Sequence, residues 1–115
     1  MDNNEPSALE ITVKTEKGSP VIELSGRIID VDVKRFQNRL EQLFKKKHEK
    51  IILDVSKTSF IDSHGLGTIV YYHTLMQKEK RELIILNSNT DENSYLNRLF
   101  DLTNLNRVLN IVTRL

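Results

Sequence analysis

Ile51-Ile52-Leu53-Asp54-Val55-Ser56, followed after a short polar interval by Phe60-Ile61-Asp62-Ser63-His64-Gly65-Leu66-Gly67, is the stretch on which the fold turns. Its first part is an apolar, β-branched run broken only by Asp54, the pattern of a short strand covered on both faces. Ser56 to Ser59 reads as a polar turn. After Ile61 the chain passes through Asp62, Ser63 and two glycines into a helical pattern with Leu66, Ile69, Val70 and Met76 on one side. A buried strand handing over to a helix is the unit of a helix-covered sheet, whose sites collect at the carboxyl ends of parallel strands. The segment Asp62 to Gly67 falls at such an end.

Working upstream, Glu10 to Lys14 alternates polar and apolar side chains as a half-exposed strand does, and Lys17-Gly18-Ser19-Pro20 supplies a turn. Val21, Ile22 and Leu24 continue as a second strand to Gly26, so the first two strands are predicted to form an antiparallel hairpin. Met1 to Leu9, with Asn3, Asn4, Pro6 and Ser7, reads as a flexible leader ahead of a single domain spanning 10–115. From Asp32 the period lengthens to that of a helix, with Val33, Phe36, Leu40, Leu43 and Phe44 on one face, Asp32 as N-cap and Lys45, Lys46 and Lys47 at the negative end of the dipole. The run Lys45 to Lys50, including His48, has no interleaved aromatics and reads as a solvated helix end rather than a nucleic-acid patch.

Downstream, Glu82 to Leu86 is a further buried strand. Leu96, Leu99 and Phe100 mark a third helix with Asn89, Thr90 or Asp91 as cap, and Val108 to Val112 forms a last strand. The order β-β-α-β-α-β-α-β predicts an α/β domain with a mixed sheet, its N-terminal strand antiparallel and its later strands parallel, covered by about three main helices.

Composition narrows the chemistry. A chain of 115 residues makes one core, and 17 Lys plus Arg against 16 Asp plus Glu leave a net charge of +1, too little for a binder resting on phosphate neutralisation. Neither nucleic acid nor a membrane is expected as a direct partner. The absence of Cys removes disulfides, thiolate metal sites and thiol nucleophiles. Asp2 and Glu5 replace the basic start of a secretory signal, so a cytoplasmic location is the expectation.

At the strand-to-helix junction, Gly65 and Gly67 let the backbone pass close to another surface, and the first helical amides favour an oxyanion. Two roles are open to Ser63. It can cap the helix, or it can carry a phosphate, which would place about −1.5 to −2 charges at the positive end of the dipole. Asp62 can orient that hydroxyl or stand as a turn carboxylate. A Ser63–His64 nucleophile pair is disfavoured, because adjacent residues rarely bring base onto hydroxyl and no G-x-S-x-G elbow is present. Asp62, His64 and His73 lack metal-ligand spacing, and Gly65-Leu66-Gly67 lacks the ending of a phosphate loop. No catalytic residue, metal or cofactor is therefore expected, and the chain does not read as an enzyme.

The run Ile51 to Ser56 followed by Phe60 to Gly67 resembles the signature of the STAS domain, specifically the bacterial anti-sigma factor antagonists. Ile22-Glu23-Leu24-Ser25-Gly26 resembles that family's second strand, and Leu99-Phe100-Asp101-Leu102-Thr103 the end of its third helix. The resemblance implies a partner-switching protein. An anti-sigma factor with serine kinase activity phosphorylates the serine after the aspartate, here Ser63, and thereby loses its hold; a serine phosphatase restores binding, with consequences for sigma-factor-dependent transcription. The implied partner surface comprises Asp62, Ser63, His64, Gly65, Leu66 and Gly67, with Asp30 nearby, and the helix from Gly65 to Met76 as docking face.

Three departures accompany the resemblance. His64 stands where a small residue is usual, and Ile29 occupies the position of a common aspartate, with Asp30 one step later. The sequence ends at Leu115, where many relatives continue into a further helix, so one sheet-covering element is expected to be missing or replaced by self-association. A monomer or weak homodimer is the expected state. The alternative is a constitutive structural STAS module, not phosphorylated, within a larger signalling or lipid-transport assembly.

Overall fold

A computed structural model describes residues 9–115. The expected leader lies outside the described residues except for Leu9, which is buried and opens the first strand. The elements in chain order are β1 (Leu9–Glu16), β2 (Ser19–Ile28), α1 (Val31–Lys45), β3 (Lys50–Asp54), β4 (Thr58–Ile61), α2 (Ser63–Lys78), β5 (Glu82–Leu86), α3 (Tyr95–Thr103) and β6 (Asn110–Val112), with a 3₁₀ turn at Leu105–Arg107.

The sheet runs β1-β2-β3-β5-β6, with β1 antiparallel to β2 and the remaining pairings parallel. β4 corrects the expected polar turn from Ser56 to Ser59. Thr58 and Ser59 belong to a strand that pairs with β2 beyond the point where β3 leaves it. Thr58 is buried and donates its hydroxyl to the Leu24 carbonyl at 2.7 Å, so its polarity is satisfied inside the sheet. The changeover needs an irregular β2. The register shifts between Gly26 and Arg27, and Gly26 adopts φ 112°, a conformation side chains rarely take, while its N–H reaches the Lys57 carbonyl at 3.0 Å.

Strand alternation sorts the apolar residues onto two faces. Ile22, Leu24, Ile28, Ile51, Leu53, Ile61, Leu83 and Ile85 point to the side of the helices, where Phe36, Leu40, Ile69, Met76, Leu96 and Phe100 pack on them. Val21, Ile52 and Ile84 form a separate cluster on the other side, to which no helix contributes.

Several predicted caps move. Asp30, not Asp32, occupies the N-cap position of α1; Asp32 is buried in the first turn, with its carboxylate accepting from Arg35 at 2.7 Å. Ser94 caps α3 by accepting from the Asn97 N–H at 3.3 Å. Asn89 and Asp91 instead accept from backbone amides two residues ahead, the local bond that favours turns over helices. The last strand begins at Asn110 rather than Val108, because Leu105–Arg107 tightens into the 3₁₀ turn.

Candidate functional site

β2 and β4 finish side by side beneath the start of α2, at Ile28 and Ile61. The Asp62 N–H donates to the Ile28 carbonyl at 3.0 Å, which ties the helix entry to the sheet. Asp62 then takes the N-cap position with extended backbone, and its Oδ1 accepts from the Gly65 N–H at 2.8 Å. Its Oδ2 faces the Asp30 N–H at 3.4 Å, so one carboxylate spans the starts of α1 and α2.

With Asp62 capping, the sequence alternative of Ser63 as cap is set aside. Ser63 becomes the first helical residue, is exposed, and its hydroxyl has no hydrogen-bond partner among the described residues. His64 follows in the helix and is exposed; consecutive helical side chains do not face one another, so His64 is not aimed at the serine.

The two glycines lie inside α2, and they differ. Gly65 is buried, and a Cβ there would meet Cγ1 of Ile61 at 2.8 Å and Cγ2 of Ile28 at 2.9 Å. Packing of the helix on the strand ends requires glycine at this point. Gly67 is exposed, and a Cβ there would meet nothing within 4 Å. Leu66, between them, packs partly buried against the core.

Ser63, Gly67 and Tyr71 are spaced four residues apart and form an exposed stripe along α2. They line one side of a groove of about 360 Å³ between α2 and α1, with Gln37 on the α1 side. Tyr72 lines the groove and makes edge contacts with Phe44 at 5.6 Å and Tyr71 at 5.1 Å, with its hydroxyl donating to Glu41. Burial, and then the bond to Glu41, pushes the Tyr72 phenol well above the usual tyrosine range. Gln37, Tyr71 and Tyr72 join the groove from outside the segment that the sequence singles out. The spacing of Tyr71 from Ser63 and Gly67 was the available signal.

Asp30 is exposed at the head of α1, with φ 51° and ψ −124°, a conformation normally left to glycine. The predicted site residues from Asp62 to Gly67 thus gather at one helix start, and the backbone of Asp30 is brought against them through Asp62. Only part of the set is surface: Ser63, His64 and Gly67 are exposed, whereas Gly65 is interior.

A family model described as the STAS domain matches residues 10–115. The chain belongs to the STAS domain family. A curated protein of Paenibacillus polymyxa, an anti-sigma F factor antagonist, is 24% identical over 104 residues, covering 90% of this chain and 86% of the relative. An anti-sigma factor antagonist from Mycobacterium paratuberculosis has the same fold at 20% identity, with a TM-score of 0.76 over 96% of this chain and 91% of that one. The phosphorylated form of the Bacillus cell fate determinant SpoIIAA follows at 18% identity, with a TM-score of 0.66 over 90% of this chain and 92% of that one. The mixed sheet of six described strands and the three α-helices are those of a single STAS domain. No described helix of this STAS domain is long and apolar enough to cross a membrane.

Proposed function

We propose that this STAS domain is an anti-sigma factor antagonist whose hold on its partner is switched by phosphorylation of Ser63. The observation that carries this reading is the division of labour at the start of α2. Asp62 does the capping, so the Ser63 hydroxyl is exposed and free of internal bonds, as a kinase substrate must be. The names of the relatives support the class of activity.

The proposed partner surface is Asp62, Ser63, His64, Leu66 and Gly67 at the head of α2, extended down the groove by Gln37 and Tyr71, with Asp30 at its margin. Gly65 serves it from inside by letting α2 seat on Ile61 and Ile28. Glycine at exposed position 67 keeps the helix surface low, so a partner's backbone can approach closely. An added phosphate would turn an uncharged hydroxyl into a group carrying about −1.5 to −2 charges beside the Asp62 carboxylate. Within a desolvated contact such a charge needs a cation opposite it, and without one the complex dissociates faster. The protein's role is binding rather than turnover, with an anti-sigma factor bearing serine kinase activity and a serine phosphatase as partners.

The test is incubation with the cognate kinase and ATP, followed by affinity measurements on Ser63→Ala and Ser63→Asp. The expected result is one phosphate on Ser63, retained binding in Ser63→Ala, and a loss of about tenfold or more in Ser63→Asp. Equal affinity of both variants, with no phosphate adduct by intact mass, would instead make the chain a constitutive structural module.

A further inference from the structure

The face of the sheet opposite the helices carries a second feature, independent of Ser63. Val21, Ile52 and Ile84 lie side by side on β2, β3 and β5, with Leu86 and Val112 packed against them. Residues 113–115 leave β6 so that Arg114 and Leu115 meet Lys17, Ser19 and Lys50 around a cleft of about 380 Å³, with Ile52, Ile84 and Val112 as its apolar lining. That volume is within the roughly 300–1,000 Å³ of small-molecule sites, which combine apolar walls with a few polar groups.

The charges at the rim are what select an occupant. Lys17, Lys50 and Arg114 are exposed and form no ion pair among the described residues. Glu16 and the terminal carboxylate of Leu115 are the anions at the lining, so three cations against two anions leave an excess of one positive charge. Lys17 also stands at φ 50°, where glycine would be relaxed. It lies in a hairpin turn, so no helix dipole rewards a cation there, and the strained position still carries a long positive side chain.

We propose that this cleft binds a small organic anion with an apolar tail, a free medium-chain carboxylate. The tail lies against half-buried Val112 and half-exposed Leu115, over the nearly covered Ile52 and Ile84, and the carboxylate meets Lys17, Lys50 and Arg114. Apolar burial supplies most of the affinity, and the cations select the charged head over a neutral one.

The test is a titration of the isotope-labelled full chain with decanoate below its micelle concentration, followed by amide chemical shifts. Saturable shifts at Lys17, Ser19, Lys50, Ile52, Ile84 and residues 112–115 are expected, with the Ser63 face unmoved. Octanoate is expected to bind about tenfold more weakly, because two methylenes are lost. Lys17→Gly and Lys50→Glu are each expected to weaken decanoate by about fivefold. Lys17→Gly relieves the positive φ, so its loss of binding would not reflect unfolding. Decanol binding as tightly as decanoate, or no saturation at these positions, overturns the proposal. So would concentration-dependent shifts of the same residues without ligand, which would mark a second copy of the chain as the occupant.

Discussion

Gly65 lies so close to Ile61 that a methyl group added to it would sit 2.8 Å from Cγ1 of that side chain and 2.9 Å from Cγ2 of Ile28. The start of α2 is therefore seated on the ends of β2 and β4 by the absence of a side chain. Gly65→Ala gains about 1 kcal/mol of helix propensity but forces two buried isoleucines apart, an overpacking cost of about 1–3 kcal/mol. A net loss of up to about 2 kcal/mol in urea unfolding is expected.

Gly67→Ala should act with the opposite sign on stability. A Cβ there meets nothing, so the substitution stabilises α2 by about 0.5–1 kcal/mol. If position 67 lies under the partner, the same variant binds it more weakly. Paired measurements of the unfolding midpoint and of anti-sigma affinity decide this, and unchanged affinity would remove Gly67 from the proposed surface.

Asp62→Ala removes the acceptor for the Gly65 N–H and the link toward Asp30. A loss of about 1 kcal/mol is expected from the cap, with most of it restored in Asp62→Asn, since asparagine is an equally good N-cap. In Asp62→Ala, Ser63 becomes the nearest hydroxyl able to turn inward, so slower phosphorylation in that variant, rescued by Asp62→Asn, is the companion expectation.

Stability should fall at alkaline pH. Tyr72 titrates above the ordinary tyrosine value of about 10 because it is buried and bonded to Glu41, so the unfolded chain releases this proton first. Its contribution is fully present below about pH 10 and is lost as the pH rises toward the folded value. Lys14, raised by its hydrogen bond to Glu23, adds a loss of the same sign above its own ordinary value. Urea midpoints between pH 8 and 11 should decline less steeply in Tyr72→Phe than in the parent; parallel curves would count against the burial argument.

Much of the architecture was legible because local pattern and tertiary environment agreed. Ile51 to Leu53 and Leu83 to Ile85 are continuous apolar runs, and both became buried parallel neighbours. Phe36, Leu40 and Leu43 carried the helical period and became the buried face of α1. β4 was not legible, since Thr58 and Ser59 are turn-formers by composition. Thr58 becomes a strand residue through the Leu24 carbonyl, 34 positions away, together with the bulge at Gly26. The caps failed for a related reason: Asp32, Asn89 and Asp91 are good cap residues by type, but which one caps depends on where the chain leaves the preceding loop.

The sequence by itself determined the order of the elements other than β4, the presence of one core, and the position of the Asp62 to Gly67 segment at the end of a strand. Hydrophobic periodicity and turn chemistry are local properties, and they sufficed for that. Tertiary structure alone decided the roles within the segment. It gave the cap to Asp62 and left the Ser63 hydroxyl free, placed Gly65 against Ile61, and turned Gly67 to solvent. Neighbouring residues of similar type are told apart by which backbone or side-chain atoms lie within a few ångströms, and those atoms come from β2 and the head of α1, far away along the chain, as well as from the adjacent β4.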